Sequence, residues 1–188
     1  MVNRRQEKMW VLLAQSGDKE AFEELLKSVQ IPLYKYILSL TNNATIAEDV
    51  LQEVFIKIYR KLFWLQEVGL FRAWAYRIAS REVFKFLAKE HKWSDLLVEE
   101  TFLENIPIQV SEKEPQCDLA ELPKLIENIS PASRAVLTLH YLHEMSLDEV
   151  ADILGIALGT AKSRLAYGLS CLRNEIAKKN NLGGIYGK

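Results

Sequence analysis

The sequence has few of the residues that interrupt or cross-link a chain. Its 188 residues include eight glycines, five prolines and two cysteines. Cys117 and Cys171 lie far apart without metal-ligand spacing, which argues against a disulfide framework and predicts free thiols in a reducing compartment. No apolar run is long enough to span a bilayer, and the N-terminus has no secretory signal pattern. These absences predict a cytoplasmic protein.

The net charge of the chain is small, but charged residues are unevenly distributed. The formal net charge of −1 argues against indiscriminate affinity for nucleic acids. Residues 1–93 carry 15 Lys and Arg against 11 Asp and Glu, and residues 119–188 carry eight against seven. Residues 94–118 carry one lysine against seven acidic residues. The pattern indicates two neutral-to-basic blocks joined by an acidic strip.

Helix-forming residues dominate the chain, and no segment shows the alternation typical of a strand. The sequence therefore predicts an all-α protein with two small helical domains. We expect an N-terminal helical domain over residues 1–93 and a mostly extended acidic linker over 94–118. A C-terminal helix-turn-helix domain is expected over 119–180, followed by a flexible tail over 181–188.

Local signals predict where the N-terminal helices begin and end. Asp18 is placed to cap a helix, and Pro32 is expected to break or kink that helix before a second segment over residues 33–40. Thr45 and Glu48 have the spacing of a capping box that opens a helix over about residues 46–63. Another helix is expected over about residues 71–92, after a short loop.

Residues 146–165 read as two short helices around a tight turn. Ser146 and Glu149 form a capping box, and Gly155 is a C-terminal stop able to adopt positive φ. The second helix begins near Ala157 and carries polar and basic residues in its first turns: Thr160, Lys162, Ser163 and Arg164. This is the arrangement of a helix-turn-helix that reads duplex DNA through the major groove. An ordinary helical hairpin within a core is the alternative.

Two further sets of residues could carry function. Asp49, Gln52 and Glu53 share one face of the 46–63 helix, either as a docking surface for a basic partner helix or as an ordinary solvated face. Residues 71–79 interleave three aromatics with two arginines, which suits stacking of unpaired bases and neutralisation of phosphates. The alternative is that these aromatics are core residues. The basic and aromatic candidates on this helix are Arg72, Trp74, Tyr76, Arg77, Arg81 and Lys85.

No pattern of catalytic or metal-binding residues is visible. His140 and His143 are three residues apart, but no further ligand accompanies them at sensible spacing. The sequence has no glycine-rich phosphate loop, nucleophile elbow or zinc-protease pattern. It therefore predicts a protein that is not an enzyme and that needs no metal or cofactor.

Taken in order, these segments resemble the bacterial RNA polymerase sigma factors of the extracytoplasmic-function (ECF) type. The resemblance covers about residues 10–178. It rests on residues 17–25, which look like the family's opening helix, and on residues 47–55, which look like the region that binds the polymerase clamp. Residues 71–79 look like the region that melts promoter DNA, and residues 147–165 look like the region that reads the −35 element.

The resemblance implies a role for each segment. Asp49, Gln52 and Glu53 would bind the coiled coil of the largest polymerase subunit. The loop over residues 65–71 and the helix after it would hold the unpaired non-template strand of the −10 element, and the acidic linker would thread the polymerase interior. The −35 contacts would come from Thr160, Lys162, Ser163, Arg164 and Tyr167. Core RNA polymerase, promoter DNA and an anti-sigma factor are the implied partners.

The chain departs from the family pattern at several positions. Arg81 and Lys85 stand where the family usually has Asn and Asp, which predicts a more basic promoter-facing surface. Ala157 stands where a Ser or Pro usually caps the recognition helix, and Gly168 weakens that helix by about 1 kcal/mol relative to alanine. A stand-alone helix-turn-helix regulator that binds duplex operators as a dimer is the competing interpretation.

Overall fold

The computed structural model describes residues 3–89, 125–127 and 129–183, with side chains through residue 177. Every regular element within these ranges is a helix, as the sequence predicted. The chain divides into two units, Met1–Glu90 and His91–Lys188, and each is described by itself. The expected linker over residues 94–118 lies outside the described residues.

Four helices form the N-terminal unit: α1 (Arg4–Gln15), α2 (Lys19–Thr41), α3 (Ala44–Lys61) and α4 (Phe71–Lys89). Two 3₁₀ turns, Leu62–Trp64 and Val68–Leu70, lie in the connection between α3 and α4. Helix α2 packs against the other three helices and α3 packs against α4. The core is built from the apolar faces of all four helices, with Val11, Leu25, Leu33, Ile37, Val54, Ile58, Phe71, Ala75 and Val83 nearly or fully buried.

Helix α2 runs unbroken through Pro32, so the predicted break at this residue is wrong. A proline in a helix interior costs about 3 kcal/mol because it removes one backbone hydrogen bond and crowds the preceding turn. Val29 and Leu33 lie on either side of it and are buried. Burial of such a side chain contributes about 1.5–3 kcal/mol, so tertiary packing outweighs the local penalty.

Asparagine side chains, rather than the predicted capping box, define the turn between α2 and α3. Asn42 ends α2 in the left-handed region at φ 51°. Asn43 is the N-cap of α3, and its side chain accepts a hydrogen bond of 3.1 Å from the backbone N–H of Ile46. The prediction that Thr45 and Glu48 cap this helix is therefore wrong, because the N-cap lies about half a turn earlier, at Asn43. The cap that was expected of Asp18 is confirmed, since its carboxylate accepts from the N–H of Ala21.

The C-terminal unit contains α5 (Pro131–Leu137), a π-helical turn (Thr138–Leu142), α6 (Leu147–Leu154) and α7 (Leu158–Gly183). Ser130 caps α5 by accepting a hydrogen bond from the N–H of Ser133, and Pro131 occupies the first helical position. Helix α7 packs against both α5 and α6. It continues to Gly183, beyond the point at which the tail was expected to fray, and residues 184–188 lie outside the described part of the chain.

Arg134 of α5 binds the short described segment that precedes this helix. Its guanidinium is buried and donates hydrogen bonds to the backbone carbonyls of Glu127 and Ile129. Burial lowers the pKa of Arg134 to about 10, so the group stays charged at neutral pH. These charge-assisted bonds hold the segment before α5 against the helix itself.

Candidate nucleic-acid interfaces

Asp49, Gln52 and Glu53 form the acidic face of α3. All three side chains are exposed, and their spacing of three and four residues places them on the side opposite the buried Ala47, Leu51 and Ile58. The structure thus brings together the residues that the sequence singled out as a docking surface.

The acidic face borders a groove between α3 and α4. Asp49 and Glu53 line one wall, and Lys85 and Lys89 of α4 are among the residues of the other. At one position the two helices are joined directly by an ion pair between Lys57 and Glu82. Of the candidate residues of the N-terminal unit, Asp49, Glu53 and Lys85 therefore line one groove.

The predicted basic and aromatic series on α4 is divided by burial. Arg81 and Lys85 are exposed, whereas Arg72, Trp74 and Arg77 are half-buried. The Nε of Arg77 is buried without a hydrogen-bond partner among the described residues. Within this series, Arg81 and Lys85 are therefore the residues whose charge is most accessible to solvent.

Tyr76 is a core residue, so the prediction that it contacts −10 DNA is corrected. Its side chain is 3% exposed, and its ring packs edge-on against Tyr36 at 5.4 Å between centroids. Burial raises the pKa of Tyr76 well above its usual value, which keeps the phenol neutral. The position follows Ala75 on the inward side of α4, and its ring is not available to stack on a base.

Arg72 and Trp74, at the start of α4, are engaged within the unit. The Nε of Arg72 lies 2.7 Å from Oε2 of Glu7, a buried carboxylate on α1. Trp74 packs against Phe71 with ring centroids 6.2 Å apart. Both side chains keep a partly exposed surface, but part of the charge of Arg72 is already paired.

Two residues that the sequence interpretation missed are the most exposed aromatics of the described chain. Phe63 and Trp64 are 72% and 76% exposed, and their rings meet edge-on at 5.8 Å. They lie on the 3₁₀ turn after α3, where Leu62 is the last residue of the buried stripe. Their sequence signal was a pair of aromatics directly beyond the end of that stripe. Exposed aromatic rings of this kind can stack on unpaired bases.

The helix-turn-helix has the local geometry that the sequence predicted. The Ser146 hydroxyl accepts from the N–H of Glu149, while the Glu149 carboxylate accepts from the N–H of Ser146. Gly155 ends α6 at φ 68°, and α7 begins at Leu158. The first backbone bond of α7 runs from the N–H of Ala161 to the carbonyl of Ala157, a residue with no side-chain oxygen to cap the helix.

One face of α7 carries the predicted −35 residues. Ala161 and Leu165 are buried, which directs the candidate positions away from the core. Lys162 is exposed, and the others, Thr160, Ser163, Arg164 and Tyr167, are half-buried. The Ser163 hydroxyl donates to the carbonyl of Gly159 at 3.0 Å, and the Nε of Arg164 is buried without a hydrogen-bond partner among the described residues. Lys162 is therefore the most accessible charge on this face.

No group of three or more potential metal ligands occurs in the described part of the chain. His140 packs on Tyr141, and its Nδ1 lies 2.7 Å from the carbonyl oxygen of Met145. None of the helices in the described ranges is long and apolar enough to cross a membrane.

Comparison with known families identifies both units. Residues 25–93 match the model of Sigma-70 region 2, and residues 119–172 match that of Sigma-70, region 4. The chain belongs to the ECF-type RNA polymerase sigma factors. This sigma factor is 28% identical over 175 residues to the RNA polymerase sigma-H factor of Pseudomonas aeruginosa, covering 88% of the chain and 91% of the relative. It is also 28% identical over 171 residues to the ECF sigma factor SigW of Bacillus subtilis, covering 85% and 91%.

Solved structures share the fold of this sigma factor. A complex of CnrH with the cytosolic domain of CnrY matches with a TM-score of 0.67 and 21% identity, over 92% of this chain and 98% of the other. The sigma factor RpoE of Bartonella quintana, crystallised with the anti-sigma factor NepR, matches with a TM-score of 0.64 and 24% identity, over 83% and 96%. The family assignment makes the protein a transcription initiation factor and favours this function over a stand-alone regulator.

Proposed function

We propose that the sigma factor binds its promoter at two elements while it is bound to core RNA polymerase. In this proposal the N-terminal domain, residues 1–93, docks on the polymerase and holds the −10 element. The C-terminal domain, residues 119–180, reads the −35 element. The observation that carries the proposal is that the two units expose different features. The N-terminal unit exposes acidic and aromatic side chains, whereas the C-terminal unit contains a helix-turn-helix.

Docking is assigned to Asp49, Gln52 and Glu53. A basic helix of the polymerase is the partner that fits this face, because two carboxylates one turn apart attract a row of positive charges. The neighbouring groove keeps Lys85 and Lys89 close to the same face, which would orient the basic helix away from α4 through like-charge repulsion.

The −10 element is assigned to the loop over residues 62–70 and to the exposed face of α4. A melted base must leave its stack, which costs a few kcal/mol. Stacking on an aromatic side chain returns about 1–3 kcal/mol per base, and Phe63 and Trp64 offer such a surface. Arg81 and Lys85 would neutralise backbone phosphates, with smaller contributions from the half-buried Arg72 and Arg77, and the partly exposed Trp74 would offer a further ring for stacking.

The −35 element is assigned to α7. A helix of this kind enters the major groove with its first turns, where Thr160, Lys162, Ser163, Arg164 and Tyr167 can meet phosphates and base edges. Because Ala157 supplies no cap, the free N–H groups at the start of α7 are also available to a phosphate.

Each domain carries little net charge, so each is expected to bind promoter DNA weakly alone. Tethering both to one polymerase through the acidic linker raises the effective concentration of each at its own element. Such a factor acts only in complex. We propose that it works in the cytoplasm, has no catalytic activity of its own and is held inactive by an anti-sigma factor, as the complexes of its structural neighbours suggest.

In vitro transcription with purified core polymerase and a library of promoter fragments tests this function. The expected result is selective transcription that depends on the sigma factor. Mobility-shift assays distinguish the two functions. A stand-alone regulator binds duplex DNA without polymerase, whereas the proposed sigma factor binds its promoter only with polymerase. Tight, sequence-specific binding by the free protein, with no transcription from the holoenzyme, would contradict it.

A further inference from the structure

Helix α1 lies outside the matched region 2 segment, residues 25–93, yet it contacts both 3₁₀ turns of the loop that presents the exposed aromatics. Its last residue, Gln15, makes the most specific of these contacts. The side-chain amide donates to the carbonyl of Leu62 at 2.9 Å and to the carbonyl of Leu65 at 2.8 Å. Both bonds are partly buried and span about 50 positions of sequence, so they join separate elements of the unit.

The two acceptors lie on either side of Phe63 and Trp64. The Leu62 carbonyl also accepts the N–H of Leu65 at 3.0 Å, the bond that closes the 3₁₀ turn. The amide of Gln15 therefore fixes the turn at its first residue and at the residue that follows it. The Gln15 amide thus gives the Leu62 carbonyl a second donor, beside the N–H of Leu65, and also donates to the Leu65 carbonyl.

Two further contacts from α1 continue along the loop. The Cε of Lys8 packs close to Gly69, where an added Cβ would lie 3.0 Å from it. Glu7 forms its ion pair with Arg72 at the start of α4. Helix α1 thus contacts the first 3₁₀ turn, the second 3₁₀ turn and the start of α4.

We propose that Gln15 is a positioning residue for promoter recognition: by holding the Leu62 and Leu65 carbonyls, it sets the orientation of Phe63 and Trp64 and so sharpens discrimination at the −10 element. This inference rests on the proposed function of the loop. Gln15 itself does not touch DNA. Its effect comes from restricting the loop to one conformation, which lowers the entropy lost when a base stacks.

Three substitutions separate positioning from simple packing. Gln15→Met keeps the length of the side chain and removes both donors. Gln15→Glu keeps the shape but places a carboxylate against two carbonyl oxygens, whereas Gln15→Lys supplies donors again. Gln6→Met is the matched control, because Gln6 is exposed on the same helix.

Each variant is assembled with core polymerase and transcribes a promoter library with a randomised −10 region. For Gln15→Met and Gln15→Glu we expect at least about a fivefold loss of preference among −10 sequences, with polymerase affinity unchanged. Gln15→Lys should recover part of the preference, and Gln6→Met should match the original protein. Hydrogen exchange of the free protein should show the Leu65 amide exchanging about five times faster in Gln15→Met, while amides in the middle of α2 keep their rates.

Unchanged −10 preference in Gln15→Met and Gln15→Glu would overturn the inference. It would also be overturned if these variants lost polymerase affinity and thermal stability together with promoter preference, because Gln15 would then act through the stability of the whole unit. A different result marks failure of the proposed function: the original protein, assembled with core polymerase, would select no promoter at all.

Discussion

Gly168 of α7 lies directly against Leu137, the last residue of α5. A Cβ added at Gly168 would come within 2.7 Å of Cδ1 and 3.1 Å of Cγ of Leu137. Leu137 is fully buried and cannot move aside easily. The glycine that weakens α7 as an isolated helix is therefore what allows α5 and α7 to approach, and through that contact the fold holds the recognition helix in place.

Gly168→Ala should destabilise the protein despite the better helix propensity of alanine. The propensity gain is at most about 1 kcal/mol, whereas overpacking a close contact typically costs about 1–3 kcal/mol. We expect a net loss of about 1 kcal/mol in the free energy of unfolding of the C-terminal unit, measured by urea denaturation. Gly159→Ala is the control: apart from the adjacent residues and the nearby backbone of α7, no atom of the described residues lies within 4 Å of the added Cβ, so this change should leave stability equal or higher. A stabilising Gly168→Ala would contradict the packing argument.

Reversing the charge of the acidic face should weaken binding to core polymerase. Asp49→Lys combined with Glu53→Lys places positive charge where a basic helix is proposed to dock, and we expect affinity to fall at least about tenfold. Fluorescence anisotropy of labelled sigma factor with core polymerase measures it. Glu20→Lys with Glu23→Lys makes the same charge change at exposed positions of α2 and should have little effect. Equal affinities for the two double variants would remove the docking assignment.

Lys162 should contribute more than Arg164 to the salt dependence of −35 binding, because Lys162 is exposed and Arg164 is half-buried. Lys162→Ala is expected to lower the slope of log K against log salt by about one, and the double variant with Arg164→Ala by up to about two. Titrations of the holoenzyme on a −35 duplex at several salt concentrations give the slopes. Lys35→Ala, an equal charge change in the other unit, serves as the control. A slope that none of these changes alters would exclude phosphate contacts by these residues.

Trp64→Ala and Tyr76→Ala should impair different properties, promoter opening and stability respectively. Trp64 is largely exposed, so its removal should leave the melting temperature nearly unchanged but slow promoter opening by about fivefold to a hundredfold, the equivalent of one lost stacked base. Tyr76 is buried, and truncating a buried aromatic ring costs about 3–5 kcal/mol of stability. Thermal unfolding together with permanganate reactivity of the −10 thymines distinguishes the two. Normal promoter opening by Trp64→Ala would remove that residue from the −10 assignment.

Much of the fold could be predicted from local signals. The capping box of Ser146 and Glu149, the cap at Asp18 and the left-handed Gly155 are short-range features, since each depends on hydrogen bonds or φ angles within a few residues. The amphipathic spacing of α3 likewise placed Asp49, Gln52 and Glu53 on its exposed face. Periodicity alone separates the two sides of a helix when one side is clearly apolar.

Other features depended on tertiary contacts. The periodicity of α4 is blurred by aromatics on several faces, so the sequence did not show that Tyr76 points inward. Phe63 and Trp64 lie on the 3₁₀ turn beyond the end of α3, where helical periodicity no longer separates exposed from buried rings. The continuity of α2 through Pro32 and the need for Gly168 follow from neighbours that pack against these positions. The sequence by itself determined the helices, most of their caps and the order of the functional segments, because these depend on local hydrogen bonding and periodic burial. Only the tertiary structure decided which aromatics are exposed and which side chain of α1 holds the loop, because those outcomes depend on contacts between residues distant in sequence.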